Sequence, residues 1–314
     1  MARLIIVTLL ACLFVAAMPT FAQPVRASFT IQETGQGFDS LADAVQAVGS
    51  ASATILIAPG RYRQCAVQEA GGIAFVAERP GTAVFDGVAC EGKAALVLRG
   101  GHARIEGLVF QNVRVRDRNG AGIRLESGDL EVHGATFRDG ENGILVANDH
   151  DGTIRIDRST FSGLGLCPED EGCSHAIYNS GDGTLIVTRS RFERGTGGHY
   201  VKSRGTRIEI SDSSFDDSAG RATNYMIDLA NGATGRIERN LFVQGADKEN
   251  YSAFISIAPE GVEHSSNGLV IAGNEAMLVP VLRRRTAFVA DASGDRIALA
   301  DNRLDPLIAP LERR

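Results

Sequence analysis

A phenylalanine returns at one fixed phase along most of this chain, and that repeat restricts the possible folds more than any other feature. Phe85, Phe110, Phe137, Phe161, Phe192, Phe215 and Phe242 each end a short strand-like run, at steps of 25, 27, 24, 31, 23 and 27 residues. Ala276 and Leu304 continue the series with smaller side chains. Five and seven residues before each anchor stand apolar or small residues, among them Ala103/Ile105, Leu130/Val132, Ile154/Ile156, Leu185/Val187, Ile208/Ile210 and Leu269/Ile271. The residue between them is mostly polar, as at Arg104, Glu131, Arg155, Glu209 and Arg236. That alternation is the mark of a half-buried strand. Two residues before the anchor comes Ser159, Ser190, Ser213, Asn240, Asn274 or Asn302, types that tolerate tight bends and bond their own backbone.

A unit this short cannot bury its inner face alone, but stacked units can, with strands pairing from coil to coil. The expected fold is all-β: a single-stranded right-handed parallel β-helix of about ten coils at about 4.8 Å each, over residues 51–306. A propeller would repeat at about 40 residues or more, and a leucine-rich repeat would show its Leu/Asn frame. Residues 38–48, FDSLADAVQAV, read as an amphipathic helix with a capping-box start at Ser40 and Asp43. Leu41, Ala44, Val45 and Val48 form its apolar face, so residues 23–50 are expected to cap the N-terminal end of the rod. The tail, 307–314, is expected to cover the other end.

Residues 1–22 have the layout of a secretory signal peptide: Arg3, an apolar run over 4–17, and small Thr20 and Ala22 before Gln23. The run is shorter than the ~20 residues a bilayer span needs. The mature protein is therefore expected in the periplasm or outside the cell, with no stable membrane insertion. Cysteine usage agrees. Cys65, Cys90, Cys167 and Cys173 remain after cleavage, an even number in an exported chain. Cys167 and Cys173 flank a short acidic loop and are expected to pair locally; Cys65 and Cys90, about one coil apart, pair with each other. No CxxC or HxxxH spacing suggests zinc. A net charge of −6 argues against nucleic-acid binding, and the rod is expected to be a monomer.

The stretches GQGFDSLADAVQAV and ATILIAPGRYRQ, with the Gly60-Arg61-Tyr62 turn, resemble the opening of pectin-lyase-like β-helix proteins. IEGLVFQN and NGILVAN resemble their generic coils. The resemblance covers about residues 29–305 and implies the fold. It does not choose an activity, because lyases, hydrolases, esterases, epimerases, tailspikes and adhesins share the fold. Within 175–261, HAIYNS, GGHYVKSRGTRIEI, NYMIDLANG and ENYSAFISIAPEG resemble a recurring pattern of secreted bacterial β-helix proteins, with Met226 where that pattern has an acidic residue.

The coil phase stacks these segments. Ile177, Val201, Ile227 and Ile255 point inward; Tyr178, Lys202, Asp228 and Ser256 point outward, followed by Ser180, Arg204 and Ala230. His175, His199 and Tyr225 line the start of the same strands. The expectation is one exposed ladder of His, Tyr, Lys, Arg and Asp. Arg189, Arg191, Arg194, Lys202, Arg204 and Arg207 make the region locally basic, with only Glu193 opposing, which points to an anionic polysaccharide as partner.

The fitting chemistry is β-elimination on a uronate. Arg204 neutralises the carboxylate, Lys202 or His199 is the base, and Tyr178 protonates the leaving oxygen. His175, Asp228, Tyr225 and Asn250 are the substrate-binding candidates. Hydrolysis is the alternative and needs a second carboxylate facing Asp228, from Asp182, Asp212 or Glu249. A non-catalytic carbohydrate-binding or surface protein is the third reading. No cofactor is expected, although the acidic runs at 169–171 and 149–151 offer oxygens to calcium.

Overall fold

The computed structural model describes residues 27–168 and 172–314; the expected signal peptide, 1–22, and the 169–171 acidic run offered to calcium lie outside them. Each coil visits three sheets in turn, and these hold 12, 10 and 10 strands among the described residues. Phe29–Ile31 and Gly37–Phe38 add to the first sheet in antiparallel fashion; from Ser52–Ile57 onward coil-to-coil pairing is parallel, and it keeps the phase read from the sequence. In the second sheet Phe85, Phe110, Phe137, Phe161, Phe192, Phe215 and Phe242 pair directly, each with the next. Their rings stack with centroids 4.6–5.5 Å apart and planes within 18°. Ala276 and Leu304 follow in register. Where the column of rings ends, Phe288 and Phe254 of the third sheet pack edge-on against Phe242, at 5.6 and 6.4 Å.

From His102–Glu106 onward the corner between first and second sheets is invariant in length; the two before it are Ala58-Pro59, without a left-handed residue, and a five-residue turn over 78–82. Two residues separate the strands at Gly107-Leu108, Gly134-Ala135, Arg158-Ser159, Arg189-Ser190, Asp212-Ser213, Arg239-Asn240, Gly273-Asn274 and Asp301-Asn302. The first of each pair lies in the left-handed region, with φ between 48 and 67°. That conformation costs a non-glycine residue about 1–2 kcal/mol, so something must offset it. The second residue does. Its side chain accepts the backbone N–H of the same corner one coil earlier, in an unbroken series: Ser159 from Ala135, Ser190 from Ser159, Ser213 from Ser190, Asn240 from Ser213, Asn274 from Asn240 and Asn302 from Asn274. The serines also bond their own backbone two residues back, as the sequence suggested. The link between coils is the larger role.

At the N-terminal end, the helix Leu41–Val48 buries Leu41, Ala44, Val45 and Val48, and the Ser40 side chain accepts from the Asp43 N–H. The C-terminal expectation needs correction. Residues 307–314 are not a separate tail: Ile308–Arg313 is the last strand of the third sheet, paired with Thr286–Asp291, and Ile308 and Leu311 pack against the core. Both disulfides form, Cys65–Cys90 with Cα atoms 5.4 Å apart and Cys167–Cys173 at 4.3 Å. Among the described residues no helix is long and apolar enough to cross a membrane.

Two substitutions measure these supports. Phe192→Ala removes a fully buried ring from the column and is expected to cost about 3–5 kcal/mol in urea unfolding. Asn240→Ala removes the acceptor of the Ser213 N–H and a donor to the Ile210 carbonyl. It is expected to cost about 1–3 kcal/mol.

Candidate active site

The third sheet carries the site. Its strands Ile177–Asn179, Val201–Ser203, Ile227–Leu229 and Ala253–Ile257 pair so that Ile177, Val201, Ile227 and Ile255 form one inward column. Tyr178, Lys202, Asp228 and Ser256 form the outward column beside it. Just before these strands His175, His199 and Tyr225 stack as a second aromatic series, with centroids 5.0 and 5.7 Å apart. The His175 ring also meets Tyr178 edge-on at 5.1 Å.

The expectation of an exposed ladder is wrong in one respect: the column points away from the core but is covered. Asp228 is 2% exposed, and the His199 and Lys202 side chains 11% each. Part of the cover is Glu260, which sequence reasoning missed. It lies in the turn after Ala253–Ile257, outside the coil phase. Its two carboxylate oxygens pair separately with Lys202 Nζ and Arg204 Nη2. Arg204 also donates from Nε to the Tyr178 hydroxyl oxygen at 3.0 Å and from Nη1 to Asn231 Oδ1 at 2.6 Å. Lys202 Nζ lies 3.6 Å from Asp228 Oδ2 and 5.7 Å from the centre of the Tyr178 ring.

Burial dominates the electrostatics. It pushes the Asp228 carboxyl up to about 6, against the pull of Lys202. Asp228 Oδ1 has no hydrogen-bond partner. Burial and then Lys202 push His199 down to about 3, so its imidazole is neutral at ordinary pH. His199 Nδ1 faces the Tyr225 carbonyl oxygen at 3.3 Å. A carbonyl only accepts, so the proton is assigned to Nδ1. Nε2 is then left bare, 3.5 Å from Asp228 Oδ2. His175 is also held well down by burial, and its Nδ1 accepts the His199 backbone N–H at 3.0 Å. Glu260 stays below the usual carboxylate range: burial opposes this, but Lys202 and Arg204 outweigh it.

The other candidates sort by position. His175 is buried and holds the His199 backbone. Tyr225 is buried, and its hydroxyl oxygen accepts from Arg314 Nη1 at 3.1 Å. Asn250 spends its side-chain oxygen on the Ser252 N–H and joins none of the ladder's hydrogen bonds. Met226 faces the core, so an acid at that place would not reach this cluster. Ser180 donates to the Val146 carbonyl. The carboxylates considered as partners for Asp228 do not assemble: Asp182 is exposed near His264, Asp212 pairs with Arg239, and Glu249 accepts from Asn224.

The basic patch divides. Arg189, Arg191 and Arg207 are exposed and paired with Asp157, Glu193 and Glu209. Arg194, also exposed and 3.4 Å from Asp139 Oδ1, joins Arg114 and Arg221 in a groove of about 600 Å³ that also includes Asp139, Gly165 and Thr196. Thr196 lies three residues before His199, so the groove borders the start of the ladder strands. The Asp149-His150-Asp151 run does not converge: His150 turns inward to the Gly128 carbonyl while both aspartates stay out. Among the described residues no three His, Cys, Asp or Glu side chains are placed to hold a metal ion.

Beneath the ladder a buried network steadies it. The Tyr200 hydroxyl donates to Asp217 Oδ1 at 2.8 Å, and Lys248 Nζ meets Asp217 Oδ2 and Thr223 Oγ1 at 3.0 Å each. Tyr200 directly follows His199, and Thr223 precedes Tyr225 by two residues. The network therefore fixes the segments that aim both rings.

Comparisons agree with this architecture. Among solved structures, an alginate lyase from Paenibacillus sp. str. FPU-7 superposes with a TM-score of 0.66 at 17% identity, over 87% of this chain and 95% of that one. The Escherichia coli protein ybhc gives a TM-score of 0.47 at 13% identity, over 90% and 86%. The likeness to the first, at 17% identity, is one of fold alone. No curated protein matches the sequence. The family profile described as a right handed beta helix region matches residues 94–276, more than half of the chain. With parallel three-sheet coils on both sides of that segment, the chain belongs to the right-handed β-helix family.

Proposed function

We propose that this protein is an exported polysaccharide lyase that cleaves a uronate-containing chain by β-elimination. One observation carries the reading: Lys202 and Arg204 converge on a single carboxylate at the mouth of a cluster that also holds a neutral imidazole and a phenol. A uronate carboxylate seated on the two cations would have its charge neutralised, which acidifies the neighbouring C5 proton. His199 Nε2 takes that proton. The C5–H electron pair becomes the C4=C5 double bond, and the C4–O bond breaks. Tyr178 then protonates the leaving oxygen. Its hydroxyl oxygen already accepts from Arg204 Nε, so its own proton is free to go outward and a guanidinium awaits the phenolate.

Lys202 serves here as a cation, because two carboxylates flank it. Asp228 stabilises the imidazolium formed at His199 and, buried as it is, cannot face a sugar as a hydrolase carboxylate. The likeness in fold to an alginate lyase supports the reaction class. The groove of Arg114, Arg194 and Arg221 supports an anionic polymer as partner, since three cations there face one carboxylate, Asp139.

The reaction is tested by ultraviolet absorbance of unsaturated product against a panel of polyuronates. His199→Ala and Tyr178→Phe are each expected to lower kcat by about 10²–10⁴-fold. New reducing ends without absorbance would indicate hydrolysis instead. Binding without either would indicate a recognition surface. The pH profile is a separate test. As pH falls through about 6, Asp228 gains a proton and no longer stabilises the imidazolium. The kcat is expected to fall on that acid limb, and Asp228→Asn to lower the plateau and abolish the limb. In the groove, Arg194→Ala with Arg221→Ala is expected to raise KM for polymer about tenfold, a change of about 1.4 kcal/mol, while short oligomers are unaffected.

A further inference from the structure

The seat assigned to the substrate carboxylate is already taken by the protein's own Glu260. Its side chain is 38% exposed, so it stands at the boundary between cluster and solvent, while its two partners are the more deeply placed Lys202 and Arg204, at 11% and 29%. The backbone beneath it is tied down. The Ala258 N–H donates to the Leu229 carbonyl at 2.8 Å and the Glu260 N–H to the Ala230 carbonyl at 3.0 Å. The Glu263 and His264 N–H groups both donate to the Asn231 carbonyl at 3.0 Å. Freeing the seat therefore needs rotation of one side chain, with no opening of the turn. Next to it, a side chain built on Gly261 would meet nothing within 4 Å, so open space adjoins the turn.

We propose that Glu260 is a stand-in for the substrate carboxylate and so a specificity-determining residue, yielding its seat only to an anion. This rests on the lyase reading above. A neutral sugar that displaced Glu260 would leave Arg204 without its charged partner and Lys202 with Asp228 alone, and hydroxyl groups do not replace the lost carboxylate. A uronate replaces it charge for charge. The exchange also sets affinity, because a tethered carboxylate competes at an effective concentration in the millimolar range.

The test uses the full mature protein with Glu260→Ala, Glu260→Asp and the double variant Glu260→Ala/Lys202→Met. Acetate is the minimal carboxylate, read by NMR titration, and uronate oligomers are titrated by calorimetry. The alanine variant is expected to bind acetate saturably at millimolar concentration, where wild type gives no response, and to lose that binding when Lys202 is also replaced. It is expected to bind the uronate oligomer about tenfold more tightly than wild type. The aspartate variant, one methylene short of bridging both cations, should fall between them and guards against a loss of folding in the alanine form. Equal acetate response and equal oligomer affinity in wild type and both single variants would overturn the stand-in role while leaving the lyase reading intact. Acetate binding confined to Glu260→Ala, with no uronate oligomer bound by any form, would uphold the seat and overturn the lyase reading, and with it the assigned specificity.

Discussion

Everything in this molecule depends on parallel strands holding one register from coil to coil. A parallel pair has no hairpin to set its alignment, so the alignment must come from side chains. Two columns supply it. The stacked phenylalanines fill the core at one phase, and the Ser/Asn series ties each corner to the previous one by hydrogen bonds. A slip of one residue would turn rings outward and break the corner series. Because the phase is fixed, residues far apart in sequence become vertical neighbours, and chemistry can be built from one position per coil.

The candidate site shows what such stacking allows and what it costs. Strands in adjacent coils lie about 4.8 Å apart. Tyr178, Lys202 and Asp228 are therefore brought together by the stacking itself, and the turn that carries Glu260 only covers what the strands have already aligned. Packing a lysine, two histidines and an aspartate this closely removes water from all of them. The result is a carboxyl pushed up to about 6 and an imidazole pushed down to about 3, facing each other at 3.5 Å. The opposed shifts leave a proton-accepting nitrogen beside a group able to stabilise it once charged. The deeper Lys248–Asp217 pair is fully buried and satisfied by Tyr200 and Thr223, so it serves the geometry of the ladder rather than its chemistry.

What lay in the coil phase was legible in the sequence. The inward column Ile177, Val201, Ile227 and Ile255, the outward column beside it, the His175–His199–Tyr225 series and the coil-to-coil disulfide all follow from counting residues between anchors. What lay outside the phase was not. Glu260 and Asn231 sit in turns whose path no repeat predicts, and Asp217 and Lys248 meet across a corner of variable length. Burial was misjudged for a related reason. Alternation reports which way a side chain leaves the strand, not what another segment lays over it, so Asp228 was expected to face solvent. The last strand was missed because Pro310 stands inside Ile308–Arg313, a residue confined to edge strands, and this strand pairs along one edge only.

The invariant corner has an evolutionary consequence. From the coil of His102–Glu106 onward every turn between first and second sheets is two residues long with a left-handed first residue, and from Ser159 on a hydrogen-bonding side chain follows it. Along those coils insertions are thereby kept off one edge of the rod and diverted to the two edges that border the third sheet. The 31-residue step from Phe161 to Phe192 places its disulfide-closed loop on one of these edges, and the long segment after Ile257 that contains Glu260 lies on the other. The rigid part of the scaffold thus channels sequence change toward the rims of the site. A lineage built on this rod can exchange one ligand for another by lengthening or trimming those rims, without re-registering a single coil.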